Sequence, residues 1–260
     1  MSSKRPPDVD VRQSIRDIFF TKNAYRLVDD YVLQDGWPHP FAVLVPGGGY
    51  QAVCSFIEGV PIAKKLNELG ISAFIVYYRT KKRAAFPNPQ DDLARAVREI
   101  LANAERYHLI TKNYSVWGAS AGGHLAASFG TTSIGYKKYG LPKPGAMVLL
   151  YPVISMDPAV THKQTHDALA GQRADPAMEA LTSVDLQVNA DYPPTYLWCG
   201  DEDDLVSPKN SKRMAAALQA AGVPVQFDMF PGVGHGVGPG TGTSASGWID
   251  RAVAFWKNQA

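Results

Sequence analysis

One stretch of the sequence decides the fold: residues 114–124, YSVWGASAGGH. A short apolar strand pattern leads into the pentapeptide G-x-S-x-G, and a run of small residues typical of a helix follows it. Glycine is needed on both sides of such a serine because the turn between strand and helix is tight enough to crowd any Cβ there. The pattern therefore predicts Ser120 as a nucleophile held above a helix N-terminus. The alternative is a close-packed turn whose serine only caps the helix.

Strand and helix patterns alternate along the rest of the chain. Strands that alternate with helices of this length form a mostly parallel, twisted sheet with helices on both faces. The ligand crevice of such a sheet lies at the carboxyl ends of its strands. We expect an α/β fold with about eight strands. The predicted strands are residues 25–33 (a strand or hairpin), 41–45, 71–78, 114–117, 146–151, 194–199 and 225–230, and the main predicted helices are residues 55–69, 88–104, 208–221 and 246–257.

The composition fits one globular domain. The chain has 260 residues, of which 45% are hydrophobic and 19% charged, so it can bury a sizeable core. No linker or internal repeat divides it, and we expect a single domain over residues 1–260. Residues 155–192 are expected to form a short cap or irregular insertion, and the polar residues 1–18 are expected to wrap the surface.

Charge and cysteine content narrow the classes of function. The net charge is +2 with scattered Lys and Arg, so no nucleic-acid partner is expected, and the basic run 81–83 is expected to be a solvated loop. The two cysteines lie far apart and indicate a reducing compartment. Because no apolar run has membrane-spanning length, no membrane partner is expected, and the protein is expected to be cytoplasmic unless a signal peptide was removed. The sequence does not decide whether the protein forms a homodimer, which remains possible.

A second glycine motif, Pro46-Gly47-Gly48-Gly49-Tyr50, follows the strand at 41–45. Acyl transfer creates a negatively charged oxygen that needs two preorganised N–H donors about 3 Å away. Consecutive glycines can turn their amides towards that oxygen, so Gly48 or Gly49 is expected to supply one donor and Ala121 the other. A phosphate-binding loop is the rival interpretation, but no Lys follows at the required spacing. A plain turn is the remaining alternative.

The base and the acid are expected in two loops that follow later strands. His235 lies in PGVGHG (231–236), a glycine-rich loop that can carry its side chain towards a neighbouring strand end. GDEDD (200–204) supplies the acid, with Asp203 preferred and Asp201 and Asp204 in reserve. A solvated acidic loop or a cation site is the alternative there, although a cation needs more oxygen ligands than one turn provides. The order Ser, Asp, His is the order expected of this kind of fold.

The other five histidines are poorer candidates for the base. His124 follows the nucleophile on its helix and is expected to pack or hydrogen-bond within the core. The insertion histidines, His162 and His166, could line a pocket, although surface positions are favoured. His108 lies near a helix end and His39 in a loop beside prolines.

With these motifs in place, the chain resembles the bacterial acetyl-esterase and acetylxylan-esterase-like branch of the α/β-hydrolases, from about Phe41 to the C-terminus. The resemblance implies the α/β-hydrolase fold, the Ser120–His235–Asp203 triad and activity on small carboxylic esters, with acetyl groups on carbohydrate foremost. No metal or organic cofactor is implied. The resemblance rests on VPGGGY (45–50), EG with the following proline (58–61), YYR (77–79), DLARAVREI (92–100), GASAGGHLAAS (118–128), YPV (151–153), LWCGDEDDLVSPKNS (197–211) and PGVGHG (231–236).

The sequence departs from the family pattern at two positions. Many relatives begin the glycine-rich loop with His, where this chain has Pro46, and Ser207 before Pro208 shifts the acid loop by one residue. Glu58 and Arg79 are expected either to support the site or to form ordinary surface or ion-pair contacts.

The leading hypothesis is a serine esterase whose partner is a small-molecule ester. A serine peptidase or amidase could use the same triad, and a non-catalytic binding protein could reuse the same fold. If the substrate is a sugar ester, aromatic side chains near the site could stack on the sugar ring, although core packing is favoured. The candidates for stacking are Tyr50, Trp198 and Trp248.

Overall fold

A computed structural model of the protein describes residues 27–173 and 175–259. The N-terminal segment 1–18, expected to wrap the surface, lies outside these residues. Seven strands form one sheet in the described part of the chain, close to the eight or so expected, and residues 27–33, the described part of the first predicted segment, hold a single strand. The strands are β1 (Val28–Tyr31), β2 (His39–Val45), β3 (Ser72–Val76), β4 (Leu109–Ala119), β5 (Ala146–Leu150), β6 (Thr195–Gly200) and β7 (Val225–Phe230).

The sheet is mostly parallel, as the alternating pattern predicts. Its strand order is β1-β3-β2-β4-β5-β6-β7. Strand β1 is antiparallel to β3, and all the remaining neighbouring pairs are parallel. The carboxyl ends of β2, β4, β6 and β7 therefore open onto the same edge of the sheet, where each of the predicted functional loops begins.

Helices cover both faces of the sheet. The helix predicted over residues 55–69 is two helices that meet at Gly59. A single helix would need a hydrogen bond from the backbone N of residue 61 to the carbonyl of Ile57, and Pro61 has no N–H to donate. The helices are α1 (Ser55–Glu58), α2 (Val60–Glu68), α3 (Asn88–Ala102), α4 (Ser120–Phe129), α5 (Lys163–Leu169), α6 (Pro176–Thr182), α7 (Lys209–Ala220) and α8 (Trp248–Lys257).

The sheet separates two apolar layers. In β2, Phe41, Val43 and Val45 belong to the apolar layer that includes residues of α3, α4 and α7, while Ala42 and Leu44 belong to the layer on the opposite face, with residues of α2 and α8. Successive side chains of a strand point to opposite faces, so a strand buried on both sides is apolar throughout. In the described residues, no helix combines the length and the apolar character that crossing a bilayer requires.

The insertion at 155–192 contains α5 and α6 and is thus less irregular than expected. Its two ends are tied to the body of the fold. The Asn210 side chain on α7 accepts hydrogen bonds from the backbone N of Ile154 and Ser155, and the Tyr192 hydroxyl donates one to the carbonyl of Ala127 in α4. The insertion therefore has a fixed position beside the carboxyl edge of the sheet.

Candidate active site

Ser120 lies at the turn between β4 and α4. It is the first residue of α4, adopts a left-handed φ of +54° and is 6% exposed. A Cβ on Gly118 would lie 2.4 Å from the carbonyl oxygen of Gly122, and one on Gly122 would lie 2.1 Å from that of Val45. Both glycines of the pentapeptide are therefore required by close backbone contacts, as the motif predicts.

His235 stands between the serine and an aspartate. Its Nε2 lies 2.8 Å from the Ser120 Oγ, and its Nδ1 lies 2.7 Å from the Asp203 Oδ2. The other oxygen of Asp203 accepts hydrogen bonds from the backbone N of Leu205 (3.1 Å) and Val206 (2.9 Å), which fix the buried carboxylate. With Nδ1–H donating to the carboxylate, Nε2 is left to accept the serine proton.

The structure brings Asp203, and neither of its two alternatives, to the histidine. Asp201 is exposed and accepts a hydrogen bond from the backbone N of Gly232 at 2.7 Å, and Asp204 is also exposed. Across residues 27–173 and 175–259, no three His, Cys, Asp or Glu side chains group closely enough to hold a metal ion.

The glycine loop after β2 lies against the serine turn. A Cβ on Gly47 would lie 2.7 Å from the Cβ of Ser120. The Gly47 amide donates to the Glu58 Oε2 at 2.7 Å, whereas the amides of Gly48 and Gly49 have no hydrogen-bond partner in the described part of the chain. Ala121 is in the first turn of α4, where amides have no partner within the helix. Three amides near the serine are thus available to an oxyanion.

Glu58 connects the glycine loop with the histidine loop. Its Oε1 accepts a hydrogen bond from the Tyr151 hydroxyl at 2.9 Å, and that hydroxyl in turn accepts one from the backbone N of Gly238 at 3.1 Å. The Tyr151 ring packs edge-on against the His235 imidazole, with ring centres 4.8 Å apart. Burial raises the pKa of Glu58, against the hydrogen bonds from Gly47 and Tyr151 that lower it.

The sequence predicted only part of this network. Glu58 is one of two residues considered as supports, and the second, Arg79, takes the ion-pair role: its Nε lies 2.8 Å from the Asp92 Oδ2. Tyr151 is absent from the predicted site. The signal that could have found it is its position directly after the buried strand β5, next to the strands that carry Ser120 and Asp203.

The three aromatic residues proposed to stack on a sugar lie in the core, and the structure corrects that prediction. Tyr50, Trp198 and Trp248 each have no exposed surface. The Tyr50 hydroxyl hydrogen-bonds the His124 Nδ1 at 3.0 Å, and the Trp248 Nε1 donates to the Gly238 carbonyl at 3.0 Å. Their rings fill the layers on either side of the sheet, so no ring face remains for a ligand.

His124 has the core role that the sequence suggests. Its Nε2 donates to the backbone carbonyl of Thr182 in α6 at 2.7 Å. Burial lowers the pKa of His124 to about 4, so the ring is neutral near pH 7. In the insertion, the His162 Nδ1 lies 2.9 Å from the Thr165 hydroxyl, and the His166 Nε2 lies 2.9 Å from the Glu179 carboxylate.

An open cleft of about 1490 Å³ lies beside the glycine loop. Gln51, which follows the loop, lines one end, and the Gln164 side-chain oxygen would lie 2.6 Å from a Cβ on Gly49. The segments 80–86 and 162–172 form the two walls. The cleft therefore opens beside Gly49 and Gln51.

Comparison with known proteins places this chain in a family. The BD-FAE family model matches residues 32–218. The chain is 33% identical over 84% of its length to endo-1,4-beta-xylanase B of Butyrivibrio fibrisolvens, and 30% identical over 76% to an acetylxylan esterase of Xylanibacter ruminicola. These matches cover 35% and 41% of the two relatives, so the chain spans well under half of either protein.

Solved structures share the fold. The acetyl ester-xyloside bifunctional hydrolase of Caldicellulosiruptor lactoaceticus superposes with a TM-score of 0.77 at 32% identity, over 89% of this chain and 85% of that one. A carboxylesterase of Lactobacillus plantarum superposes with a TM-score of 0.74 over 89% of this chain and 92% of that one, and its 21% identity supports the fold alone. Together with the family match over most of the sequence, these similarities show that the chain belongs to the BD-FAE family and has the α/β-hydrolase fold.

Proposed function

We propose that this protein is a serine carboxylic-ester hydrolase that removes small acyl groups, acetyl foremost, from carbohydrate. One observation carries the proposal: the His235 imidazole lies within hydrogen-bond distance of both the Ser120 hydroxyl and the Asp203 carboxylate. A nucleophile, a base and an orienting acid in this relation are what acyl transfer requires.

The reaction begins when Ser120 attacks the ester carbonyl while the His235 Nε2 takes the hydroxyl proton. Asp203 holds the imidazole in the tautomer with hydrogen on Nδ1 and stabilises the imidazolium that forms. The imidazolium then gives its proton to the leaving alcohol, and an acyl-enzyme remains on Ser120. Water, deprotonated by His235, attacks this acyl group, and collapse of the second tetrahedral intermediate releases the acid and restores the serine.

The tetrahedral oxyanion is stabilised by backbone amides. Gly48 or Gly49 from one side and Ala121 from the other are the donors, because none of these amides has a partner in the described residues. Each such donor stabilises the transition state by about 3 kcal/mol. Glu58 holds the neighbouring Gly47 amide, so it is a positioning residue that fixes the loop and does not itself touch the substrate.

The substrate class is supported by the relatives and by the openness of the site. A relative at 30% identity is named an acetylxylan esterase, and a similar structure is an acetyl ester-xyloside hydrolase. The cleft of about 1490 Å³ beside the glycine loop has room for several sugar units. An acetylated oligosaccharide fits both observations, and a small-molecule ester is the partner we propose.

A substrate panel with the purified protein tests this function. Acetate release from acetylated xylo-oligosaccharides is measured beside hydrolysis of 4-nitrophenyl esters of increasing acyl length and of aminoacyl anilides. We expect turnover of the acetyl esters, a fall in kcat/KM with acyl length and negligible cleavage of the anilides. Faster cleavage of the anilides would favour a peptidase or amidase, and a protein that turns over no ester and whose Ser120 stays inert to a fluorophosphonate would favour a binding protein.

A further inference from the structure

The cleft beside the glycine loop is built by two segments that are joined at its base. The backbone N of Phe86 donates to the carbonyl of Leu169 at 2.9 Å, which links the wall at 80–86 to the wall at 162–172. Gln51 and Gln164 lie where the cleft meets the glycine loop. A group bound in this cleft would therefore lie beside the glycine loop.

The charges along the cleft are mostly positive. Lys81, Lys82 and Arg83 are exposed and line one wall. On the opposite wall Lys163 is hydrogen-bonded to Asp167, the single carboxylate among the described lining residues, so these two charges compensate each other. Among the described lining residues, cations thus outnumber carboxylates, which favours a negatively charged group in the cleft.

The basic wall, residues 81–83, is hydrogen-bonded to the glycine loop. The backbone N of Lys81 donates to the carbonyl of Tyr50 at 2.7 Å, and the carbonyl of Lys81 accepts from the backbone N of Ala84 at 3.0 Å. Lys81 has a left-handed φ of +57°, as Tyr50 does at +56°. Residues other than glycine seldom adopt this backbone conformation, and such strained residues concentrate at functional sites. The backbone of the basic wall is therefore held beside the glycine loop.

We propose that this cleft is a subsite for an anionic group on the carbohydrate part of the substrate, so that acetyl esters of acidic sugars are preferred over neutral ones. The inference deepens the proposed esterase function and rests on it. A carboxylate, as on a uronic acid, and a phosphate present the same chemistry to Lys81, Lys82 and Arg83. Because these side chains are exposed, the preference acts through KM and is weakened by salt.

The test compares matched neutral and anionic esters. Acetylated xylotriose is paired with acetylated xylotriose that carries one glucuronic acid, and acetylated glucose is paired with an acetylated glucose phosphate. For each pair, the ratio of kcat/KM for the anionic ester to that for the neutral ester is measured at low and high NaCl. We expect a ratio of about five or more at low salt for at least one pair, carried by KM, and a ratio near one at high salt. The pair with the higher ratio identifies the anion as carboxylate or phosphate.

Two triple variants distinguish the effect of the cations in the cleft from the effect of the overall charge of the protein. Lys81→Gln/Lys82→Gln/Arg83→Gln is expected to bring the ratio close to one. The control Lys64→Gln/Lys143→Gln/Lys257→Gln removes the same charge from exposed residues outside the cleft and is expected to keep the ratio. Equal kcat/KM for neutral and anionic esters in the wild type, or an equal fall of the ratio in both variants, would overturn the subsite while leaving the esterase intact. No acetate release from any ester would overturn the esterase function itself.

Discussion

Ser120 is the residue on which the proposed chemistry depends. Its hydroxyl lies 2.8 Å from the His235 Nε2, and its Cβ is enclosed by the glycine loop. We expect Ser120→Ala to lower the kcat for acetyl esters at least about 10⁴-fold. Since alanine fits the same space, the thermal midpoint should stay within a few degrees of the wild type. Esterase assays and a thermal unfolding scan measure the two effects, and a variant that retains full turnover would contradict the assignment.

Among the aspartates of the loop at 200–204, Asp203 alone contacts the imidazole in the described structure. Asp203→Asn exchanges a carboxylate for an amide that stabilises the wrong imidazole tautomer, so a fall in kcat of about 10⁴-fold is expected. Asp201→Asn and Asp204→Asn are matched controls with the same change of charge in exposed side chains. Steady-state kinetics should show the largest fall in kcat for Asp203→Asn. A larger fall in either control would show that the control residue, and not Asp203, is the acid.

Glu58 acts through its neighbours. Glu58→Ala leaves the Gly47 amide and the Tyr151 hydroxyl without their buried acceptor, so we expect kcat to fall about 10- to 100-fold as the oxyanion loop loosens. Glu58→Gln keeps one oxygen for the Gly47 amide, and its amide group can donate to Tyr151, so it should restore most of kcat. KM should change little in either variant. Equal kcat for wild type and Glu58→Ala would show that the network has no part in positioning.

The pKa of Glu58 adds a second measurement on the same side chain. Because burial raises it, the folded protein binds the Glu58 proton more tightly than the unfolded chain does. This carboxyl therefore contributes a decrease in the free energy of unfolding as the pH rises from about its ordinary pKa of 4.5 through the raised value. Denaturant unfolding of the wild type and of Glu58→Gln isolates this contribution, because His124 titrates in both proteins alike. The free energy of unfolding of the wild type minus that of Glu58→Gln should fall as the pH rises through this range, and a difference that rises with pH would refute the account.

At the scale of elements, α4 is tied to α6 of the insertion through the hydrogen bond from His124 to Thr182. The His124 ring is neutral in the folded protein, with a pKa of about 4 against an ordinary value of 6.5. The unfolded chain therefore binds the extra proton between these values, and stability is lost as the pH falls. The difference corresponds to about 3 kcal/mol between pH 6.5 and 4.

Denaturant unfolding at a series of pH values measures this loss. We expect His124→Gln to remove most of the slope between pH 6.5 and 4, because glutamine stays neutral over the range. His108→Gln, at an exposed histidine, is the control and should keep the slope of the wild type. An unchanged slope in His124→Gln would mean that His124 is not the residue that titrates.

The order of elements was largely predictable, and the exceptions have local causes. Alternation of apolar strands with amphipathic helices sufficed for β2 to β7 because buried parallel strands are short and apolar. The break at Gly59 was missed, since a proline at position 61 suits the first turn of a new helix as well as a loop. The length of β4 was underestimated because residues 111–113, just before the predicted start of the strand, are polar and are not buried.

At the scale of the whole molecule, the parallel sheet assembles the site. Strands β4, β6 and β7 end on one edge, so Ser120, Asp203 and His235 meet although 115 residues separate the serine from the histidine. The order of these three residues along the chain, and the glycines around the serine and the histidine, predicted that their side chains meet. Burial of Tyr50, Trp198 and Trp248 was the favoured expectation, but stacking stayed open because a sequence pattern does not tell which aromatic side chains the two covering layers enclose. The Glu58 contacts were likewise hidden, since they join residues up to 93 positions apart.

Covalent trapping tests the central claim most directly. The purified protein is treated with a fluorophosphonate, and the site of the adduct is mapped by mass spectrometry of its peptides, with loss of esterase activity followed in parallel. We predict one adduct per chain on Ser120, inactivation in step with labelling, and no adduct in Ser120→Ala. An enzyme that is fully inactivated by an adduct on another residue, or that hydrolyses acetyl esters with Ser120 unlabelled, would contradict the account.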